Sequence, residues 1–248
     1  LNWNTTVEGS GVVLNVTGHM IIADNSLIEG VGNGFPIGIG PGTGQGAAHG
    51  GWGNGISNQN TYGDLAAPTA LGSGATNYES GGAAIKINAQ NIYLNGTINM
   101  SSEDELTRGA SGGSIWLNAT SSILGVGELD VSGDSGSGYA GGGGRIALYA
   151  PTIYLNGTIY NQGGSDVLEE DDGSGGSVYI KASSILNTRM NITAWGYKGG
   201  DIRFMDNKTD LFGNYYANGT YYDGSISIDY SNCSSNYSNA TFTPVPVF

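Results

Sequence analysis

Gly81-Gly82-Ala83-Ala84-Ile85-Lys86-Ile87 opens a repeated unit, and Ile92-Tyr93-Leu94-Asn95-Gly96-Thr97-Ile98 closes it. The closing word returns as Ile153-Tyr154-Leu155-Asn156-Gly157-Thr158-Ile159. Residues 123–129 lie between as a degenerate copy that keeps Gly127. The opening word recurs as Ile115-Trp116-Leu117 after Gly112-Gly113, and as Ile146-Ala147-Leu148 after Gly141 to Gly144. It recurs again as Val178-Tyr179-Ile180, Ile202-Arg203-Phe204 and Ile226-Ser227-Ile228, each behind glycine. The first apolar residues of these copies are spaced 30, 31, 32, 24 and 24 apart.

Each word alternates apolar and polar residues, the mark of a half-buried strand. No 3.6-residue periodicity survives the glycines. One such unit cannot bury its apolar face alone, but stacked neighbours share a continuous core. The fold expected is therefore all-β, a right-handed parallel β-solenoid. Its inward ladders would be Ile85, Ile115, Ile146, Val178, Ile202, Ile226 and, two residues on, Ile87, Leu117, Leu148, Ile180, Phe204, Ile228. A propeller blade needs a longer period, and a sandwich needs no copies in register.

The expected organisation is one solenoid domain over residues 1–230 and an extended tail over 231–248. Residues 1–29 supply one or two opening coils. Residues 30–80 are glycine-rich with little strand pattern, expected as an ordered excursion over the solenoid's surface or end. The first residue is Leu1 and no signal-peptide core is visible, so the chain reads as processed or as a segment of something larger.

Composition narrows the function. The 248 residues include 45 Gly, and only 12% are charged. Eight bases against 21 acids give a net charge of −13. Nothing clusters basic residues against phosphates, which excludes a nucleic-acid partner. No run is long enough for membrane insertion.

Twelve Asn-x-Ser/Thr triplets occur, at Asn4, Asn15, Asn95, Asn99, Asn118, Asn156, Asn191, Asn207, Asn218, Asn232, Asn236 and Asn239. Composition alone would give about four, so the excess marks a heavily N-glycosylated extracellular or cell-surface protein. Such density favours an archaeal or eukaryotic source. The single cysteine, Cys233, can form no internal disulfide.

The glycine-rich block, residues 62–74, and the words at 81–98, 112–116 and 142–147 resemble glycine-rich parallel β-solenoid modules of very large archaeal and bacterial cell-surface proteins. That resemblance implies a secreted surface location and no established chemistry. Those proteins are long multidomain chains, and this one is short.

Chemistry is weakly signalled. Glu103-Asp104-Glu105 and Glu169-Glu170-Asp171-Asp172 fall in turns, as solvated loop charge. Glu128 and Asp130 share a face, but the neighbouring copies carry Thr97/Asn99 and Thr158/Tyr160 there. No acid ladder forms, as a glycosidase-like pair would need. His19 and His49 lack the partners of a zinc site. No catalytic residue, metal site or cofactor is expected beyond N-linked glycans; Asp130, Asp134 and the acids of 169–172 remain candidates for a weak calcium ion. Tyr93, Tyr154, Trp116 and Tyr179 are candidate outward rings for sugar or protein.

Two readings follow. The first is a structural filament or surface-layer subunit whose partner is itself, head to tail. Its apolar tail residues Phe242, Val245, Val247 and Phe248 would add a strand to the next copy. The second is a carbohydrate-binding adhesin or a polysaccharide-active β-helix protein.

Overall fold

The computed structural model describes residues 9–53, 61–104, 108–165, 172–205, 209–211, 214–222, 224–229 and 241–243. Among them there is no helix, and the strands pair in parallel. The chain is a parallel β-solenoid.

The first coil holds β1 (Val12–Asn15), β2 (His19–Ile22) and β3 (Leu27–Glu29). The second holds β4 (Ala84–Leu94) and β5 (Thr97–Asn99), and the third β6 (Ser114–Gly125) and β7 (Glu128–Asp130). The fourth holds β8 (Arg145–Leu155) and β9 (Thr158–Tyr160), and the fifth β10 (Ser177–Thr188), β11 (Asn191–Thr193) and β12 (Gly196–Lys198). The sixth holds β13 (Asp201–Met205), β14 (Thr209–Leu211), β15 (Asn214–Tyr216) and β16 (Gly219–Tyr222). The last holds β17 (Ser225–Asp229) and β18 (Thr241–Thr243).

One sheet runs β1-β4-β6-β8-β10-β13-β17, with β2 beside β4 and β14 beside β10. The second runs β3-β5-β7-β9-β11-β15-β18, and β12 pairs with β16 alone.

The expected ladders are present. Val12, Ile85, Ile115, Ile146, Val178, Ile202 and Ile226 are successive register partners. From Ile85 onward each is buried, as are their companions Ile87 to Ile228. A further ladder joins Ile28, Ile98, Leu129, Ile159, Ile192, Tyr215 and Phe242 across the second sheet. The two sheets share one core between them.

One feature differs from the sequence reading. The opening word and the first half of the closing word are not separate strands in the middle coils. They fuse into one strand of 11 or 12 residues, with register shifts near Ala89 and Asn118. The fusion fails in the first coil, where Thr17-Gly18 intervenes between β1 and β2. The described part of the glycine-rich excursion lies beside the middle coils. It packs along the glycine loops of the middle coils: Ala47 N donates to Gly109 O, Gly51 N to Gly143 O, and Ser174 N to Trp52 O. A small second core of Phe35, Leu71 and Ala84 anchors it.

Glycine is required where the third to fifth coils turn into the long sheet. A Cβ on Gly113 would lie 1.8 Å from Ala83 O, on Gly144 2.1 Å from Gly113 O, and on Gly176 2.1 Å from Gly144 O. These obstacles are backbone atoms, which a rotamer change cannot move aside.

Gly144→Ala is expected to cost about 3 kcal/mol or more, the upper range for forcing atoms into packed space. Gly138→Ala meets nothing within 4 Å and is expected to leave the urea midpoint almost unchanged. Chemical denaturation of the two variants checks the contrast.

Candidate functional surface

The outward residues of the ladders form rows. Asn15, Asn88 and Asn118 are register neighbours. Asn118 Nδ2 donates to Asn88 Oδ1 at 2.9 Å, and Asn88 Nδ2 to Asn15 Oδ1 at 2.8 Å. A second polar row joins His19, Asn91 and Ser122: Ser122 Oγ donates to Asn91 Oδ1, and Asn91 Nδ2 to His19 Nδ1. Such rows satisfy side-chain polar groups across coils as a backbone ladder does.

The triplet asparagines that lie among the described residues are Asn15, Asn95, Asn99, Asn118, Asn156, Asn191 and Asn218. None of them is buried. Asn99 Oδ1 accepts from Ser101 N and Asn156 Oδ1 from Arg189 N, so both amides are oriented through their oxygens. Asn4, Asn207, Asn232, Asn236 and Asn239 lie outside the described residues, as do Cys233, Val245, Val247 and Phe248. Phe242 packs within its own chain: its ring stacks on Tyr215 with centroids 5.1 Å apart.

Of the four outward aromatics, two are covered. Lys86 Nζ sits 3.3 Å from the centroid of the Trp116 ring. Tyr179 is buried and donates to Met205 Sδ. Tyr149 lies between these rings and donates to Ala66 O, which brings the excursion over this half of the sheet. Tyr93, against the edge of His19 at 5.8 Å, and Tyr154, 41% exposed, lie on the other half.

Glu128 and Asp130 are in register with Thr97/Asn99 and Thr158/Tyr160. Burial first, and for Glu128 its Asp130 neighbour next, raises both carboxyls above their ordinary values. Asp130 Oδ1 accepts from Ser132 N, the same local turn that Asn99 makes. Asp130 is thus a turn acceptor. Glu105 and the acids 169–171 lie outside the described residues. Among the described residues no three His, Cys, Asp or Glu side chains are grouped to hold a metal ion.

Sequence reasoning missed one acid pair. Glu79, fully buried in the excursion, accepts from Ala110 N through Oε2. It faces Asp134, whose Oδ2 is buried with no donor to satisfy it. Two carboxylates cannot bond each other; a shared proton satisfies both. Burial first, then Glu79 and the nearby Asp104, raises Asp134 to about 8. The only signal in the sequence was two acids 55 positions apart, in segments without periodicity.

His49 is a second fully buried titratable group of the excursion. Its Nδ1 lies 2.8 Å from Gly112 O, and Tyr62 packs on its ring at 4.7 Å. Burial, then the Arg145 charge, lowers it to about 3 against the Gly112 hydrogen bond. Arg145 Nε in turn donates to Tyr62 O. The cluster pins the excursion to β8 and exposes no nucleophile.

A hollow of about 110 Å³ lies beside Trp52 and Lys198, walled largely by glycine backbone at Gly50, Gly51, Gly175, Gly176, Gly199 and Gly200. A wider, open one of about 490 Å³ is lined by Asn15, Val16, Thr17, Asn88, Gln90 and Thr120. It contains the whole Asn15 triplet.

Asp134 and His49 make opposite contributions to stability. The unfolded Asp134 loses its proton near pH 3.8 and the folded one near 8, so stability falls as pH rises between them. Unfolded His49 gains a proton near 6.5 and the folded ring only near 3, so stability falls as pH drops through that range. They oppose each other from about pH 4 to 6.5, and only Asp134 acts from 6.5 to 8. Asp134→Asn is expected to flatten the decline of the urea midpoint between pH 6.5 and 8. An unchanged slope would assign the titration elsewhere. Comparison with protein-family models, with curated proteins and with solved structures found no match to this chain.

Proposed function

We propose that this chain is a non-enzymatic, heavily N-glycosylated extracellular structural protein, a subunit of a surface filament or cell-surface layer whose copies join end to end. The observation that carries this reading is the course of the ladders. They run in one register from β1 and β3 to β17 and β18, and among the described residues no strand pairs beyond either end. A second copy placed in the same register would set its Val12 on Ile226, its Leu14 on Ile228 and its Ile28 on Phe242. Each rung would be apolar on apolar. Such a contact is head to tail and propagates without closing.

The reading assigns the tail a smaller part than a free connecting strand. Phe242 already completes a ladder of its own chain. The outer edges of β17 and β18 would then supply most of the hydrogen bonds to the next copy. The unburied triplet asparagines suit a sugar coat along the sides, restricting growth to the ends. The absence of any acid ladder among the described coils, with a net charge of −13, disfavours turnover of acidic polysaccharides.

Two measurements test the proposal. The intact mass of the native protein is expected to exceed the polypeptide mass of 25.4 kDa by several glycans; the bare mass would end the glycoprotein reading. For assembly, Val16 N donates to Asn88 O, so period two aims the amides of Val12 and Leu14 at β4 and that of Val13 outward. Val13→Pro therefore removes one outward donor from the edge and spares the β1–β4 bonds. The natural chain is expected to form fibres by electron microscopy and sedimentation, and the variant to remain a folded monomer. A natural chain that stays monomeric at high concentration would refute end-to-end assembly.

A further inference from the structure

We infer that Tyr93 and Tyr154 are stacking platforms for the first sugar of the glycans carried by Asn95 and Asn156. The inference rests on the reading of those asparagines as glycosylated. In each copy the aromatic residue stands two positions before the asparagine. Asn95 and Asn156 are the first residues beyond β4 and β8. The alternation of burial carries one step past each strand, with Leu94 and Leu155 buried and the tyrosine and asparagine on either side of each unburied. Each asparagine amide still reaches the coil below, Asn95 N donating to Ile22 O and Asn156 N to Gly125 O.

The register makes the pairing selective. Ile21, Tyr93, Leu124 and Tyr154 are successive partners on the outer face of four coils. The corner positions two residues on are Ala23, Asn95, Val126 and Asn156. A ring stands only in the two coils whose corner carries a triplet. The coils without a triplet have an aliphatic residue in its place.

The amides are poised for it. A Cβ on Gly125 would lie 2.9 Å from Asn95 Oδ1, so that oxygen rests against the next coil. Asn156 Oδ1 accepts from Arg189 N at 2.9 Å. Both oxygens are turned along the ladder, and neither Nδ2 donates to a described residue. A tyrosine ring offers an apolar face beside a wet edge, matching the C–H face and hydroxyl rim of a pyranose.

The stacking also resolves an exposed apolar stripe. Ile21 is 64% exposed and Val126 62%. Coils stand about 4.8 Å apart, so Asn95 and Asn156 lie about 10 Å apart with Val126 between them. A sugar on each side would cover Val126 without colliding with the other.

Four chains made in a host that adds N-glycans test this. They are the natural chain, Tyr93→Leu/Tyr154→Leu, Asn95→Gln/Asn156→Gln, and the quadruple variant. Leucine is chosen because Leu124 holds the same position in the third coil, so the variant keeps a residue that the sheet already accepts. Removing the asparagines is expected to lower the melting midpoint by about 2–4 °C in the natural background. With leucine in place of tyrosine the same change is expected to lower it by under about 1 °C. The same four chains from a host without N-glycosylation are expected to show no such coupling. Glycans found at both sites with equal losses in the two backgrounds would overturn the stacking and leave the glycoprotein reading standing. Coupling in the unglycosylated set would also overturn it, by assigning the effect to a protein contact. Unmodified Asn95 and Asn156 in the first host would overturn the inference and, at these two sites, the reading beneath it.

Discussion

Backbone contact at the glycine corners is the constraint on which the solenoid depends. The third to sixth coils each enter the long sheet through a pair of glycines that touch two walls, and the last keeps the second of the pair, Gly224. The first would drive a Cβ into the end of the opposite sheet: Gly112 against Val131 O, Gly175 against Ala194 O, Gly199 against Ala217 O. The second would drive one into the coil below, as Gly200 does against Gly176 O and Gly224 against Gly200 O. The same glycines donate across the corner, Gly144 N to Val131 O and Gly176 N to Asn161 O. The corner therefore fixes both the thickness of the molecule and the height of each step. Once that register is set, period two decides which residues face inward, and the isoleucine ladders follow. Packing across the ladders then rewards the register at every rung.

This hierarchy explains what was legible in the sequence. The ladders could be read because Ile85, Ile115 and Ile146 recur behind glycine pairs at nearly constant spacing. The long strands could not, because the bend at Ala89 to Asn91 looks like a turn in one copy alone. Only pairing on both sides holds it extended. The excursion was legible as a segment but not in its position, since backbone hydrogen bonds carry no side-chain period. Glu79 with Asp134, and His49 with Arg145, belong to this category. Each joins a residue of the excursion to a residue of a coil, and nothing local in either segment announces the other.

The change in spacing from about 31 to 24 residues also has a structural meaning. In the longer coils the chain makes a glycine-rich detour between the second sheet and the next corner, from Met100 to Gly113, Val131 to Gly144 and Asn161 to Gly176. In the shorter ones it runs from Ala194 to Gly200 and from Ala217 to Gly224. Where the detours exist, the excursion packs on them. Where they are lost, β12 and β16 pair as a third short sheet. The period thus records which coils the excursion covers.

The same division separates two walls. Along the glycine detours the neighbouring backbones leave no room for a Cβ at Gly109, Gly141 or Gly164, each within 1.9 Å of a carbonyl oxygen. A glycosylated asparagine has no place in such a wall. No triplet falls between Asn15 and Asn95, or within the three long detours. The triplets in the described coils sit instead on strand faces and short corners, where asparagine side chains already lie outside the core. The segregation needs no selection for a decorated side. At these glycines the backbone contact leaves no room for a side chain, so what this wall presents comes from the residues around them, such as Tyr78, 45% exposed, and Arg108 against the Tyr78 and Tyr139 rings. In a stack of such coils the two walls would continue along the axis in register, because the corner that sets the step is the same corner that excludes the side chain.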